Sequence, residues 1–330
     1  MLKGLICLIS GVFVSYASLA RPLSEEAGWQ FTLNLNVGLT GGQSQLKTNS
    51  ENEVTNDLDN SGQYRTSVMG YPLGRIQYTL DSLETQFYLG NSRDQVATAQ
   101  LQYELGVIQQ LNDGSQLTFA VFPRLSLLNE TWADPFLVGS KREETKEYTA
   151  GGRIAVEQIF GSPFTLKYAV ASSSVKEELS GQNELNNPDD IAALQRDSLY
   201  QRVEVETMFP VARGLFLKPT VQYTHRNADG NANSYEQYTG QLSFLLFRDR
   251  HLLVTTINAG IRNYQQINPI FNEKQDLVRA GIFSIYSYKR PFDWQHWSWT
   301  MMAGYNQEKS DISFYDNYGF IVSTGLTYKY

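Results

Sequence analysis

The feature that most restricts this chain is the rhythm of its connections. Between residues 28 and 330, segments with an apolar side chain at every second position are joined by links that run short, long, short, long. The short links are "DS" (81–82), "NDGS" (112–115), "FGSP" (160–163), "PVARG" (210–214), "RDRH" (248–251) and "KRPFDWQH" (289–296). Most of the others are longer and polar, covering 42–65, 91–96, 126–146, 177–197, 226–234, 265–275 and 307–317. Tight turns at one end and larger loops at the other are the pattern of a transmembrane antiparallel β-barrel.

The segments themselves agree. "FTLNLNVGLT" puts Phe31, Leu33, Leu35, Val37 and Leu39 on one face, and Thr32, Asn34, Asn36 and Thr40 on the other. "LKPTVQYT" and "WSWTMMAGY" repeat the alternation, which in a strand sends successive side chains to opposite faces. The expected strands are 28–41, 66–80, 83–91, 96–109, 116–125, 147–159, 164–176, 198–209, 215–225, 235–247, 252–264, 276–288, 297–306 and 318–330. The expectation is therefore all-β: a barrel of about 14 strands, with about 12 as the rival count, and both termini in the periplasm. The last strand, "YGFIVSTGLTYKY", must pair on both edges, because a sheet in lipid has to close to satisfy its backbone groups. Phe320, Tyr328 and Tyr330 fall on its apolar face, and the final aromatic resembles the recognition signal of bacterial outer-membrane barrels.

Composition narrows the class. At 42% hydrophobic and 18% charged, with 20 Tyr, the chain lacks the repeated apolar runs of a multi-span helical membrane protein. A soluble, secreted β-sandwich would share the alternation, but not the loop asymmetry or the aromatics Phe292, Trp294, Trp297 and Trp299 around one turn. Residues 1–20, "MLKGLICLISGVFVSYASLA", read as a cleaved secretory signal peptide: Lys3, a short apolar core, then Ser18 and Ala20 before Arg21. Residues 21–330 are expected to form one barrel domain. The chain's single cysteine, Cys7, lies in the signal, so the remainder has neither disulfides nor thiolate metal sites.

Four segments resemble an uncharacterised family of Gram-negative outer-membrane barrel proteins known only as a domain of unknown function. They are "RPLSEEAGWQFTLNLNVGL", "LNETWADPFLVGSKREET", "NADGNANSYE" and "DISFYDNYGFIVSTGLTYKY". The resemblance spans residues 21–330. It implies an outer-membrane location and no assigned activity.

Function in a barrel lies in the lumen and loops. The alternation assigns Arg75, Arg124, Arg153, Lys167, Arg202, Lys218, Arg262, Arg279 and Lys329 to the inner face, with the acids Glu84, Glu104, Glu157, Glu204 and Glu206. A net basic interior in a chain of net charge −7 can attract anions, or its charges can pair across the wall and brace a narrow tube. The loop around Asn227, Asp229, Asn231, Asn233 and Glu236 has oxygen ligands near Gly230, but the glycine is displaced from the EF-hand position; a plain surface loop is expected. Trp132, Pro135 and Phe136 belong on an outer loop, packed on the rim, folded into the mouth or offered to a partner.

His225, His251 and His296 show no pattern of a barrel hydrolase, so no catalytic residue is expected, an outer-membrane hydrolase with His225 at its centre being the lesser alternative, and no metal or cofactor is expected either. Phosphate loops and nucleic-acid tracts are absent from the sequence. The reading is a porin-like passive channel for small polar solutes with a weak anion bias. The alternative is a non-conducting structural or interaction barrel whose acidic loops bind partners or surface glycan. A translocator barrel fits less well, lacking a passenger and a lumen helix. Expected partners are outer-membrane lipid and lipopolysaccharide, the barrel-assembly machinery, and small polar or anionic solutes.

Overall fold

A computed structural model describes residues 23–91, 103–122 and 130–330. The signal segment therefore lies outside the described residues. Sixteen strands are assigned: β1 (Gly28–Gln43), β2 (Tyr64–Thr79), β3 (Thr85–Gly90), β4 (Glu104–Gln110), β5 (Gln116–Phe122), β6 (Glu130–Trp132), β7 (Glu144–Glu157), β8 (Phe164–Val175), β9 (Ser198–Thr207), β10 (Phe209–Ala212), β11 (Leu215–Ala228), β12 (Tyr235–Arg248), β13 (His251–Tyr264), β14 (Leu277–Lys289), β15 (Trp297–Ser310) and β16 (Asn317–Lys329). β6 is a loop strand paired only with β7, and β10 is a short stretch beyond β9 that pairs with β11. The other 14 are staves of one closed antiparallel barrel.

Closure runs through β1, which pairs with β2 along one edge and with β16 along the other, from Thr32↔Lys329 to Gln43↔Tyr318. The expected 14 strands are thus the observed ones, with shifted ends. β2 continues through "GYPLG", where Pro72 stands opposite Leu35. β15 extends to Ser310, which brings Glu308 onto the barrel wall.

Burial is inverted relative to a soluble protein. Large apolar side chains point outward, with Val68 at 73% and Val221 at 69% exposure. Polar ones are hidden inside: Asn34, Thr79, Gln86, Thr118, Thr220, Gln237 and Thr256. In water, each square ångström of such apolar exterior would cost about 25 cal/mol, whereas lipid removes that cost. A closed barrel with an apolar outside and a polar inside is a bilayer-spanning one, and the protein is an outer-membrane barrel. Aromatics ring the end that carries the tight turns: Trp29 packs on Tyr78, Trp294 on Trp297, and Phe31 lies near Tyr330.

Candidate functional site: the lumen and its cap

The inner face forms where the period of two sends polar side chains inward, and it sorts its charges into three groups. On one side Glu104 is fully buried, with Arg153 Nη2 2.6 Å from its Oε1 and Arg153 Nε 2.8 Å from its Oε2. The Tyr88 hydroxyl donates to the same carboxylate at 2.6 Å, and the Arg75 guanidinium lies 3.8 Å from the centre of the Tyr88 ring. Gly106 makes this possible, since a Cβ there would sit 2.6 Å from the Tyr88 ring.

Nearer the turn end, Lys167 Nζ lies 3.0 Å from both Glu204 and Glu206, and Lys218 Nζ lies 3.2 Å from Glu206. Two cations and two anions balance here, so this stretch braces the wall. The sequence offered attraction of anions and bracing as alternatives; at these two groups the charges are paired.

The third group is different. A cavity of about 520 Å³ in the loop-side half of the lumen is lined by Lys47, Arg202 and Arg279, with amides such as Gln241, Asn258 and Asn306. Among the described residues that line it, no side chain is a carboxylate. Arg202 donates to Thr224 Oγ1 at 3.1 Å. Just outside, Glu308 stands 3.7 Å from both Arg262 and Arg279. Arg262 also donates to Gln237 and lies over the Tyr235 ring. An apolar patch of Leu73, Phe283 and Met302 lies beside the cavity, and Tyr71, packed against it, bonds Ser323 at 2.8 Å.

Arg75, Glu104, Arg153, Lys167, Arg202, Glu204, Glu206, Lys218, Arg262 and Arg279 share the strand register of the buried polar side chains; Arg124 lies outside the described residues. Glu84 sits in the turn before β3, and Lys329 is exposed at the end of β16. Glu157 ends β7 on the inward register of Arg153. Two contributors escaped the sequence reading. Lys47 lies on the first long loop, and Glu308 fell in the expected loop beyond 306.

The long loops do not stay separate. Phe136, Leu194, Ala232, Ile312, Phe314 and Tyr315 form one buried core, with Leu58, Leu185 and Phe271 packed against it. Leu194 belongs to the connection between β8 and β9, whereas Ile312 belongs to that between β15 and β16, nearly opposite around the ring. Their contact places the core across the mouth.

Arg142 fastens the cap. It is buried and donates to the carbonyls of Asn52 (2.9 Å) and Pro135 (3.1 Å) and to Gln45 Oε1 (3.1 Å), with its guanidinium over the Trp132 ring. Burial pulls its pKa down to about 10, so it remains a cation at neutral pH. Arg196 bonds Glu178 and the carbonyls of Trp132 and Ala133. Trp132 and Phe136 are thus interior to the cap, folded in at the mouth as one of the sequence alternatives had it. The 227–236 loop packs Ala232 into the same core, and among the described residues no group of acids and histidines is placed to hold a metal.

The histidines lie apart. His225 faces the outside near Glu236, while His251 bonds the Tyr286 hydroxyl and His296 lies beside Tyr328 and Tyr330 at the turn end. Tyr330 and Val322 face outward on β16, and Phe320 and Tyr328 share their register.

A family model covers residues 28–329, the whole barrel from its first stave to its last. The chain belongs to the family described as "Protein of unknown function (DUF2860)". The likeness of this DUF2860 member to solved structures is distant. OmpT of Vibrio cholerae, described as outer-membrane expressed, has 10% identity and a TM-score of 0.45, over 94% of this chain and 100% of that one. An anion-selective porin from Comamonas acidovorans has 8% identity and a TM-score of 0.43, over 92% and 100%. The outer membrane channel DcaP of Acinetobacter baumannii has 10% and 0.42, over 92% and 98%. No curated protein matches the chain in sequence.

Proposed function

We propose that this barrel is a passive channel for small polar solutes with a weak preference for anions. The observation that carries the reading is the lumen cavity, with Lys47, Arg202 and Arg279 on its wall and a carboxylate, Glu308, only behind it. At an effective dielectric near 20, unit charges about 4 Å apart interact by about 4 kcal/mol, so a small excess of wall cations can decide which ion enters. In this reading residues 1–20 are removed on export and the barrel-assembly machinery inserts the chain. The turns and both termini face the periplasm, and the loops meet lipopolysaccharide.

The test is reversal potential in planar bilayers across a salt gradient. The wild-type pore should favour chloride modestly at low salt, less so as screening shortens the field to about 8 Å at physiological ionic strength. Arg202→Glu with Arg279→Glu should abolish or reverse the preference. A pore that is cation-selective before and after these changes defeats the reading.

The cap supports a second reading. A loop core lying across the mouth suits a non-conducting barrel whose acidic loops, such as 176–190 with its two Asp and three Glu, bind a partner or surface glycan. Purified protein that inserts but passes no current favours it.

A further inference from the structure

We infer that the lumen cavity is a binding site for one small polyhydroxylated anion, a sugar carrying a carboxylate or a phosphate. The inference rests on the channel reading for the route by which the solute arrives; the site itself stands on its lining.

The three cations come from separate parts of the fold. Lys47 descends from the first long loop, Arg202 projects from β9 and Arg279 from β14, yet all three face one space of about 520 Å³. Pockets that hold small molecules measure about 300–1,000 Å³, so the space suits a sugar better than a bare ion. A site for an inorganic anion needs donors alone. This one adds Gln241, Asn258 and Asn306, whose amides both donate and accept, as hydroxyl groups do.

One wall is apolar. Phe283 lines the cavity, and Gly304 gives its ring room, because a Cβ there would stand 2.6 Å from that ring. A sugar ring has C–H faces that suit such a wall, whereas a short carboxylate has none to offer. Glu308, 3.7 Å from both Arg262 and Arg279, holds those guanidinium groups from behind. The loop core across the mouth would slow escape.

The experiment uses the full-length barrel, folded in detergent for calorimetry and inserted in planar bilayers for current. The probes are D-glucuronate, glucose 6-phosphate, glucose and acetate. Glucuronate or glucose 6-phosphate should bind and interrupt the current at concentrations at least tenfold below those of glucose or acetate. The two anions distinguish a carboxylate site from a phosphate site. Arg202→Gln with Arg279→Gln should weaken the binding at least tenfold, while Arg202→Lys, which keeps the charge, should retain most of it.

Equal response to glucose, to acetate and to both sugar anions overturns the inference, as does unchanged binding in the double Gln variant. A pore that conducts but binds neither sugar anion sinks the site and leaves the channel. Binding by calorimetry without any conductance sinks the channel and upholds the site.

Discussion

Arg153 Nη2 and the Tyr88 hydroxyl converge on one oxygen of Glu104, each at 2.6 Å, on the inner wall of the barrel. Glu104 has no exposed side-chain surface, so its charge depends on these partners. Removing one member of a buried ion pair commonly costs about 3–5 kcal/mol, while replacing both by apolar groups costs far less. Arg153→Ala should therefore lower barrel stability by about 3–5 kcal/mol in urea unfolding from detergent. Arg153→Met with Glu104→Leu should recover most of that loss. Equal stability of wild type and Arg153→Ala would show that the pair contributes nothing.

The cap should be separable from the barrel. Phe314 is fully buried between Phe136, Phe271 and Tyr315, and none of these belongs to a stave. Truncating a buried Phe costs about 3–5 kcal/mol, and here the loss falls on the loop core. Phe314→Ala should raise single-channel conductance and speed protease cleavage of the loops, with the heat-modifiable gel shift unchanged. Unchanged conductance with cleaved loops would mean that the cap does not limit flow.

The strands and their faces were legible because a period of two is a local property. Leu35 and Asn36 declare opposite faces whatever the rest of the chain does. Pairings between staves along the wall were not. Arg153 and Glu104 were each assigned inward, but they meet across β5, and sequence gives no register for that. The cap was illegible for a related reason. Leu194 and Phe314 are 120 positions apart in irregular segments, where no periodicity records which loop meets which. Lys47 belongs to the same class of miss, since its place in the lumen follows from the path of a loop.

Alkaline pH should weaken anion preference in a way that Lys47 controls. Burial lowers its pKa from the ordinary 10.5, so its charge is present below that depressed value and lost as pH rises through it. Reversal potential measured against pH should therefore drift toward cations below pH 10.5 in the wild type. Lys47→Gln should begin with a smaller preference and show a flatter profile. Identical profiles would remove Lys47 from the selectivity site.

The last strand should matter more for assembly than for stability. Tyr330 N–H donates to the Phe31 carbonyl at 2.9 Å, and Phe31 N–H donates to Tyr330 at 2.8 Å, so the final residue is tied to β1 at the seam. Each such bond contributes about 0.5–1.5 kcal/mol net, a small part of a closed barrel's stability. Tyr328 packs on Trp297 and His296, and Phe320 shares its outward register. Deleting Tyr330 together with Tyr328→Ser should therefore sharply lower the amount of protein in the outer membrane, and Phe320→Ser should lower it further. The same variants refolded from urea into detergent should still give the heat-modifiable form in good yield. Normal levels in cells would refute a recognition role for these three residues. Parallel losses in cells and in detergent would assign them to closure of the barrel alone.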